Sequence, residues 1–238
     1  MNFAKPGEGF YVINKPVGMT SFGVVHRMRR VLGIERIGHA GTLDPFASGV
    51  LVVAVGRTFT RQISEWQDKP KTYVATMVMG KTTETLDIDG KTMQKDADFE
   101  SKQAQIRAQL EQPDFWTEWR GEQMQTPPIF SAKKVGGKRA YKLARKNEAV
   151  ELAPVTITIH DIRLTGVTQE ADELLVTFET TCSKGTYIRQ LAADIAAKVG
   201  TLAYLSVLVR TAIGEAKLDA ALSLESVSAA AVSVSGTL

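Results

Sequence analysis

Cysteine is almost missing from this chain of 238 residues; Cys182 is the only one. That excludes an intrachain disulfide framework and a thiolate-rich zinc site. Histidine is also scarce, and His26, His39 and His160 are too scattered to suggest a metal centre. No stretch reaches the roughly 20 apolar residues that a membrane-spanning helix requires. The opening MNFAKPGEGFYVINKP lacks the basic, apolar, small-residue order of a secretory signal. From these absences we expect a reducing, cytoplasmic setting and no membrane association.

Net charge is small as well, at +3, but its distribution is uneven. Between Phe130 and Lys146 lie Lys133, Lys134, Lys138, Arg139, Lys142, Arg145 and Lys146, with no acid among them. A second basic run is His26-Arg27-Met28-Arg29-Arg30, whereas the stretch from Glu84 to Glu100 is rich in acids. Such asymmetry points to a polyanion on one face, against the plainer reading of solvated helix surface. Hydrophobic residues make up 44% of the chain, enough for a packed core and too many for a disordered one.

Local pattern predicts strands at Gly9 to Asn14, Val50 to Val55, Thr72 to Met79, Val155 to Thr165, Leu174 to Thr181 and Ala203 to Arg210. Helical spacing of Val24, Met28, Val31 and Leu32 predicts a helix capped by Thr20 or Ser21 and closed by Gly33. Further helices are expected at Phe99 to Leu110, stopping before Pro113, and from Ile188 to Val199. A short one is expected from Arg139 to Lys146. Residues 38–48 and 82–97 read as connections, and Gly136-Gly137 as a hairpin or loop. The last residues, 229–238, are expected to fray. Strands with interspersed helices imply α+β on a mixed, mostly antiparallel sheet.

The segment Gly38-His39-Ala40-Gly41-Thr42-Leu43-Asp44-Pro45-Phe46-Ala47-Ser48-Gly49 is the most unusual. Pro45 restricts the backbone of the residue before it, so Asp44 is held in a defined state at a loop tip. Taken alone, such a carboxylate reads as a turn former that bonds nearby N–H groups. The segment resembles the catalytic signature of the TruB family of bacterial tRNA pseudouridine synthases. Five other stretches resemble that family in order: Asn14-Lys15-Pro16-Val17-Gly18-Met19-Thr20-Ser21; Lys71-Thr72-Tyr73-Val74-Ala75; Gln125-Thr126-Pro127-Pro128 through Arg145; Cys182-Ser183-Lys184-Gly185-Thr186-Tyr187-Ile188-Arg189; and Leu205 with Arg210-Thr211 and Gly214. Asn14 stands where the family usually has an acid, Glu84 replaces a frequent Asp, and Phe59-Thr60-Arg61 and Tyr204 also differ.

The resemblance implies a pseudouridine synthase fold and an isomerase that needs no cofactor. It would break the N1–C1′ bond of a flipped uridine, at position 55 in the T loop of tRNA, and rejoin C5 to C1′. Asp44 would be the nucleophile, at ribose C1′ or uracil C6, or the base of an elimination. Arg189 would pair with it, and Tyr73 would stack on the uracil. His39 and Leu205 would contact the flipped nucleotide and its surroundings. Lys133, Lys134, Lys138, Arg139 and Arg145 would close over phosphates in a clasping insertion at about residues 124–148, and Lys15 would belong with the structural and RNA-facing, substrate-binding residues rather than with the chemistry. We expect one catalytic domain over residues 1–228, no room for the PUA RNA-binding domain that many members carry, and a monomer that needs no protein partner. A non-catalytic tRNA-binding or folding factor, and a glycosidase releasing uracil, are the alternatives.

Overall fold

The computed structural model describes residues 7–131, 133–135, 138–139, 152–171 and 173–227. In chain order the strands and α-helices are β1 (Gly9–Lys15), α1 (Ser21–Leu32), β2 (Ile37–Ala40), β3 (Ser48–Val55), α2 (Arg57–Thr60), α3 (Ile63–Asp68), β4 (Lys71–Met79), β5 (Lys81–Thr83), β6 (Thr92–Lys95), α4 (Phe99–Leu110), α5 (Pro113–Thr117), β7 (Gly121–Gln125), β8 (Lys134–Val135), β9 (Lys138–Arg139), β10 (Val155–Glu170), β11 (Glu173–Cys182), α6 (Ile188–Lys198), β12 (Ala203–Ile213) and β13 (Ala216–Lys217). The chain forms two compact units, residues 1–73 with 208–238 and residues 74–207. Strands β4 and β12 contribute to both. No helix among the described residues is long and apolar enough to cross a membrane.

In the first unit β3 is the central strand. It pairs antiparallel with β1 (Ile13↔Leu51) and β2 (His39↔Val53), and parallel with β12 (Arg210↔Gly49). Its side chains alternate between two cores, as the period of a strand requires. Leu51, Val53 and Val55 pack with Ile13, Ile37 and the buried face of α1 (Val24, Val25, Met28), while Val50 and Val52 pack with Ala40, Ile213 and Ala216. Each fully buried Val, Leu or Met here contributes about 1.5–3 kcal/mol. Helix α1 starts where the Thr20 hydroxyl accepts from Gly23 N at 2.9 Å and ends at Gly33 in a left-handed cap.

In the second unit the strand order is β12-β4-β11-β10-β7. Strands β10 and β11 form a long antiparallel hairpin with register shifts near Asp161 and Gly166. Trp116 of α5 packs on Phe178 of β11 with ring centroids 5.7 Å apart. Helix α6 buries Ile188, Leu191, Ala192, Ile195 and Ala196.

The architecture is α+β on a mostly antiparallel sheet, as expected, with several local corrections. Residues 38–40 of the supposed loop belong to β2, because β3 offers a free edge to pair with. Residues 82–83 and 92–95 of the supposed connection belong to the paired strands β5 and β6. Pro113 starts α5 instead of merely ending α4, since proline is well suited to a first helical turn. Gly166 lies at a bulge inside β10, and the pairing continues to Glu170 and Glu173, so the strands are longer than the pattern implied. Arg139 belongs to β9, not to a helix, and pairs with Lys134. The rest of that expected helix, with Arg145, and the tail at 229–238 lie outside the described residues.

Candidate active site

The loop carrying Asp44 is held through its backbone. The Ser21 hydroxyl, 1% exposed, accepts from Leu43 N at 2.9 Å and donates to Leu43 O at 3.2 Å. Pro45 O accepts from Gly18 N at 2.8 Å and lies 3.4 Å from the Lys15 ammonium. Ala47 N donates to Asp44 O at 3.1 Å. Arg210 reaches the same segment from β12: its Nη2 donates to Gly41 O at 3.1 Å and its Nε to Val50 O at 2.7 Å. Leu43, Phe46 and Ala47 are buried beneath the loop, whereas Asp44 remains partly accessible. A partly accessible aspartate thus stands on a backbone bonded on both of its flanks.

Lys15 departs from the expected substrate-facing role. Its side chain is fully buried, and besides Pro45 O it donates to Pro16 O at 2.8 Å and Met19 O at 2.6 Å. It ties a turn together rather than meeting a phosphate. Burial is the main reason its ammonium is pushed down to about 8; the nearby Arg210 charge adds to this and Asp44 opposes it. His39, in β2, is held below its ordinary value by burial first and then by Arg210, against a bond to the Gly41 backbone. Its buried Nδ1 has no partner among the described residues. Tyr73, near the start of β4, is only 8% exposed.

The second unit holds Arg189 and Leu205. Arg189 is the second residue of α6 and is 4% exposed, which excludes an ordinary surface arginine. Its guanidinium donates to Phe130 O at 2.9 Å and to Thr85 O, and lies 3.6 Å from the Asp87 carboxylate. Asp87, 5% exposed, accepts from the Thr85 hydroxyl at 2.6 Å and from Asp89 N at 3.1 Å. The turn reaches it through Leu86, whose φ of 60 is unusual for a branched side chain and stores about 1–3 kcal/mol. Leu205 is fully buried, and its N–H donates to Leu86 O at 3.0 Å, so its backbone braces the same turn. Gln125 fixes the approach to α6 by bonding both Tyr187 N (2.8 Å) and Tyr187 O (3.1 Å). Sequence reading missed Asp87. The available signal was a carboxylate in a Thr-rich turn, and attention went to Glu84, which is exposed. Of the basic segment, Lys133 is partly exposed, and Lys134 and Lys138 stand with Arg139 in the β8–β9 hairpin.

A model of the TruB family pseudouridylate synthase N-terminal domain matches residues 29–188, a span that includes Asp44, Tyr73 and Asp87 and stops just short of Arg189. This chain belongs to the TruB family of pseudouridylate synthases. Among its curated relatives is the tRNA pseudouridine synthase B of Desulfotalea psychrophila, 43% identical over 215 residues, which make up 90% of this chain and 85% of that protein. The protein of the same name from Phocaeicola vulgatus is 42% identical over 232 residues, or 95% of this chain and 93% of that one. Among solved structures, a chain in a Cbf5–Nop10–Gar1 complex superposes with a TM-score of 0.63 at 28% identity, covering 91% of this chain and 52% of that chain. The present chain therefore spans about half the length of that structural relative.

Proposed function

We propose that this protein converts uridine to pseudouridine in tRNA, at the T-loop uridine of position 55. The observation that carries the reading is Asp44: a partly accessible carboxylate on a backbone-anchored loop inside the segment matched by the family. The N1–C1′ bond breaks, the held uracil turns, and C5 bonds to C1′; the C5 proton leaves and N1 gains one. Atoms balance with no cofactor. Asp44 acts on the nucleotide, by attack or as the base that starts elimination.

In this reading Arg189 belongs to the catalytic set, its planar guanidinium held by Asp87 and by the carbonyls of Thr85 and Phe130. Tyr73 stacks on the extruded uracil, a contact of about 1–3 kcal/mol that offsets unstacking of the base. His39 contacts the space vacated by the nucleotide. Leu205 supplies apolar support. Lys133, Lys134, Lys138, Arg139 and Arg145 neutralise phosphates, and specificity comes from the shape of the T arm. The protein acts on tRNA in the cytoplasm as a monomer.

The test is release of tritium from unmodified tRNA labelled at C5 of uridine, with pseudouridine identified in the digest. Wild type is expected to release label and Asp44→Asn to release none. Equal release by both, or free uracil in place of pseudouridine, would reject the assignment.

A further inference from the structure

The basic run on α1 plays no part in the chemistry above. Phe22, His26 and Arg30 are all exposed, and their four-residue spacing sets them in one stripe about 12 Å long. Phe22 is 56% exposed, unusual for a phenylalanine on a helix with a well-packed opposite face. The Arg29 guanidinium lies 5.6 Å from the Phe22 ring centroid, and the His26 ring meets Phe22 edge-on at 5.4 Å. Arg27 flanks the stripe. The helix itself contains no acid, and the facing carboxylate is Glu225, 3.5 Å from Arg27 and largely exposed. An exposed ring beside clustered cations suits a nucleobase and its phosphates better than an apolar protein surface.

The stripe also starts at the right place. Ser21, next to Phe22, is the residue whose hydroxyl grips both backbone groups of Leu43, immediately before Asp44. We propose that the outer face of α1 is an RNA-binding surface that takes the strand flanking the target uridine, with Phe22 under one base and Arg27 and Arg30 on phosphates. A 12 Å stripe spans about three stacked nucleotides at the 3.4 Å rise of a strand. The inference rests on the RNA-modifying reading and extends it to a second basic run of the sequence, on α1.

The experiment measures affinity for unmodified tRNA across a salt series, with Asp44→Asn as the non-reacting parent. Adding Arg27→Gln and Arg30→Gln is expected to reduce the slope of log affinity against log salt by about 1 to 2, as loss of one or two phosphate contacts requires. Adding Phe22→Ala instead is expected to weaken binding about tenfold with the slope unchanged, and Phe22→Tyr to restore it. Phe22 and Arg30 are exposed, and Arg27 is half-buried with only a surface ion pair to Glu225 to lose, so thermal midpoints should stay close to the parent's. Parental affinity and slope in every variant would overturn the proposal, and would mean that any partner of this face is not RNA. Tritium release by the protein with native Asp44 separates the two readings. Binding through α1 without release defeats the synthase assignment alone; release with α1 variants that bind like the parent defeats the surface alone.

Discussion

Replacing Gly49 with alanine tests how the Asp44 loop is held. Gly49 has a φ of 106, and a Cβ built there would lie 2.2 Å from Arg210 O and 2.8 Å from Arg210 N. Both obstacles are backbone of the paired strand β12, so neither swings aside. The positive φ costs an L-residue about 1–2 kcal/mol, and displacement of a packed strand adds about 1–3 kcal/mol. We expect Gly49→Ala to lose about 2–5 kcal/mol in urea denaturation. Gly38→Ala is the control, because its new Cβ would crowd the tip of the Ile63 side chain, at 2.8 Å, with Thr60 Cγ2 at an ordinary 3.9 Å, and its φ is not positive. It should lose less than about 1 kcal/mol. Turnover should follow the same order. A shift of Arg210 moves the cation that grips Gly41 O and Val50 O, so Gly49→Ala should slow tritium release at least tenfold at a temperature where it is folded, order-of-magnitude in line with misplacement of a reacting group. Equal stability and equal rates for the two variants would refute the argument that β12 anchors the loop.

Asp87→Asn removes the carboxylate facing buried Arg189 and should destabilise the protein by about 3 kcal/mol. A double-mutant cycle with Arg189→Gln should return a coupling above about 1 kcal/mol, and a value near zero would show that the pair is incidental. Lys15 titrates at about 8 when folded and at 10.5 otherwise, so the unfolded chain binds more protons between those values. Its burial therefore weighs on stability below pH 8, by about 3 kcal/mol, and that weight fades as pH rises to 10.5. Relative to Lys15→Met, the wild type should gain stability across that window in denaturant unfolding; parallel curves would contradict the shift.

What the sequence made legible was local. Helix α1 announces itself through the Thr20 cap, the spacing of Val24 and Met28, and Gly33, all within one stretch of chain. Strand β3 is an uninterrupted apolar run. The short strands β2, β5 and β7 escaped notice because their pairing depends on a partner elsewhere; β5 and β7 are also mostly polar, and β2 has only four residues. Asp44 was found by resemblance to a family, since a carboxylate in a turn is common. Asp87 was missed because what distinguishes it is Arg189, about a hundred residues away. Lys15 was expected among the structural and RNA-facing residues, but a lysine is rarely buried, and only the three carbonyls around its ammonium show how it is held.

The grip on the Asp44 loop falls almost wholly on main-chain atoms: Gly41 O, Leu43 N and O, Pro45 O and Val50 O. Peptide groups are the same whatever side chain they bear, so the bend can tolerate drift at an outward position such as Thr42 without losing its shape. The entropy of immobilising the carboxylate is settled once, at folding, and every later encounter with a substrate inherits a loop already set.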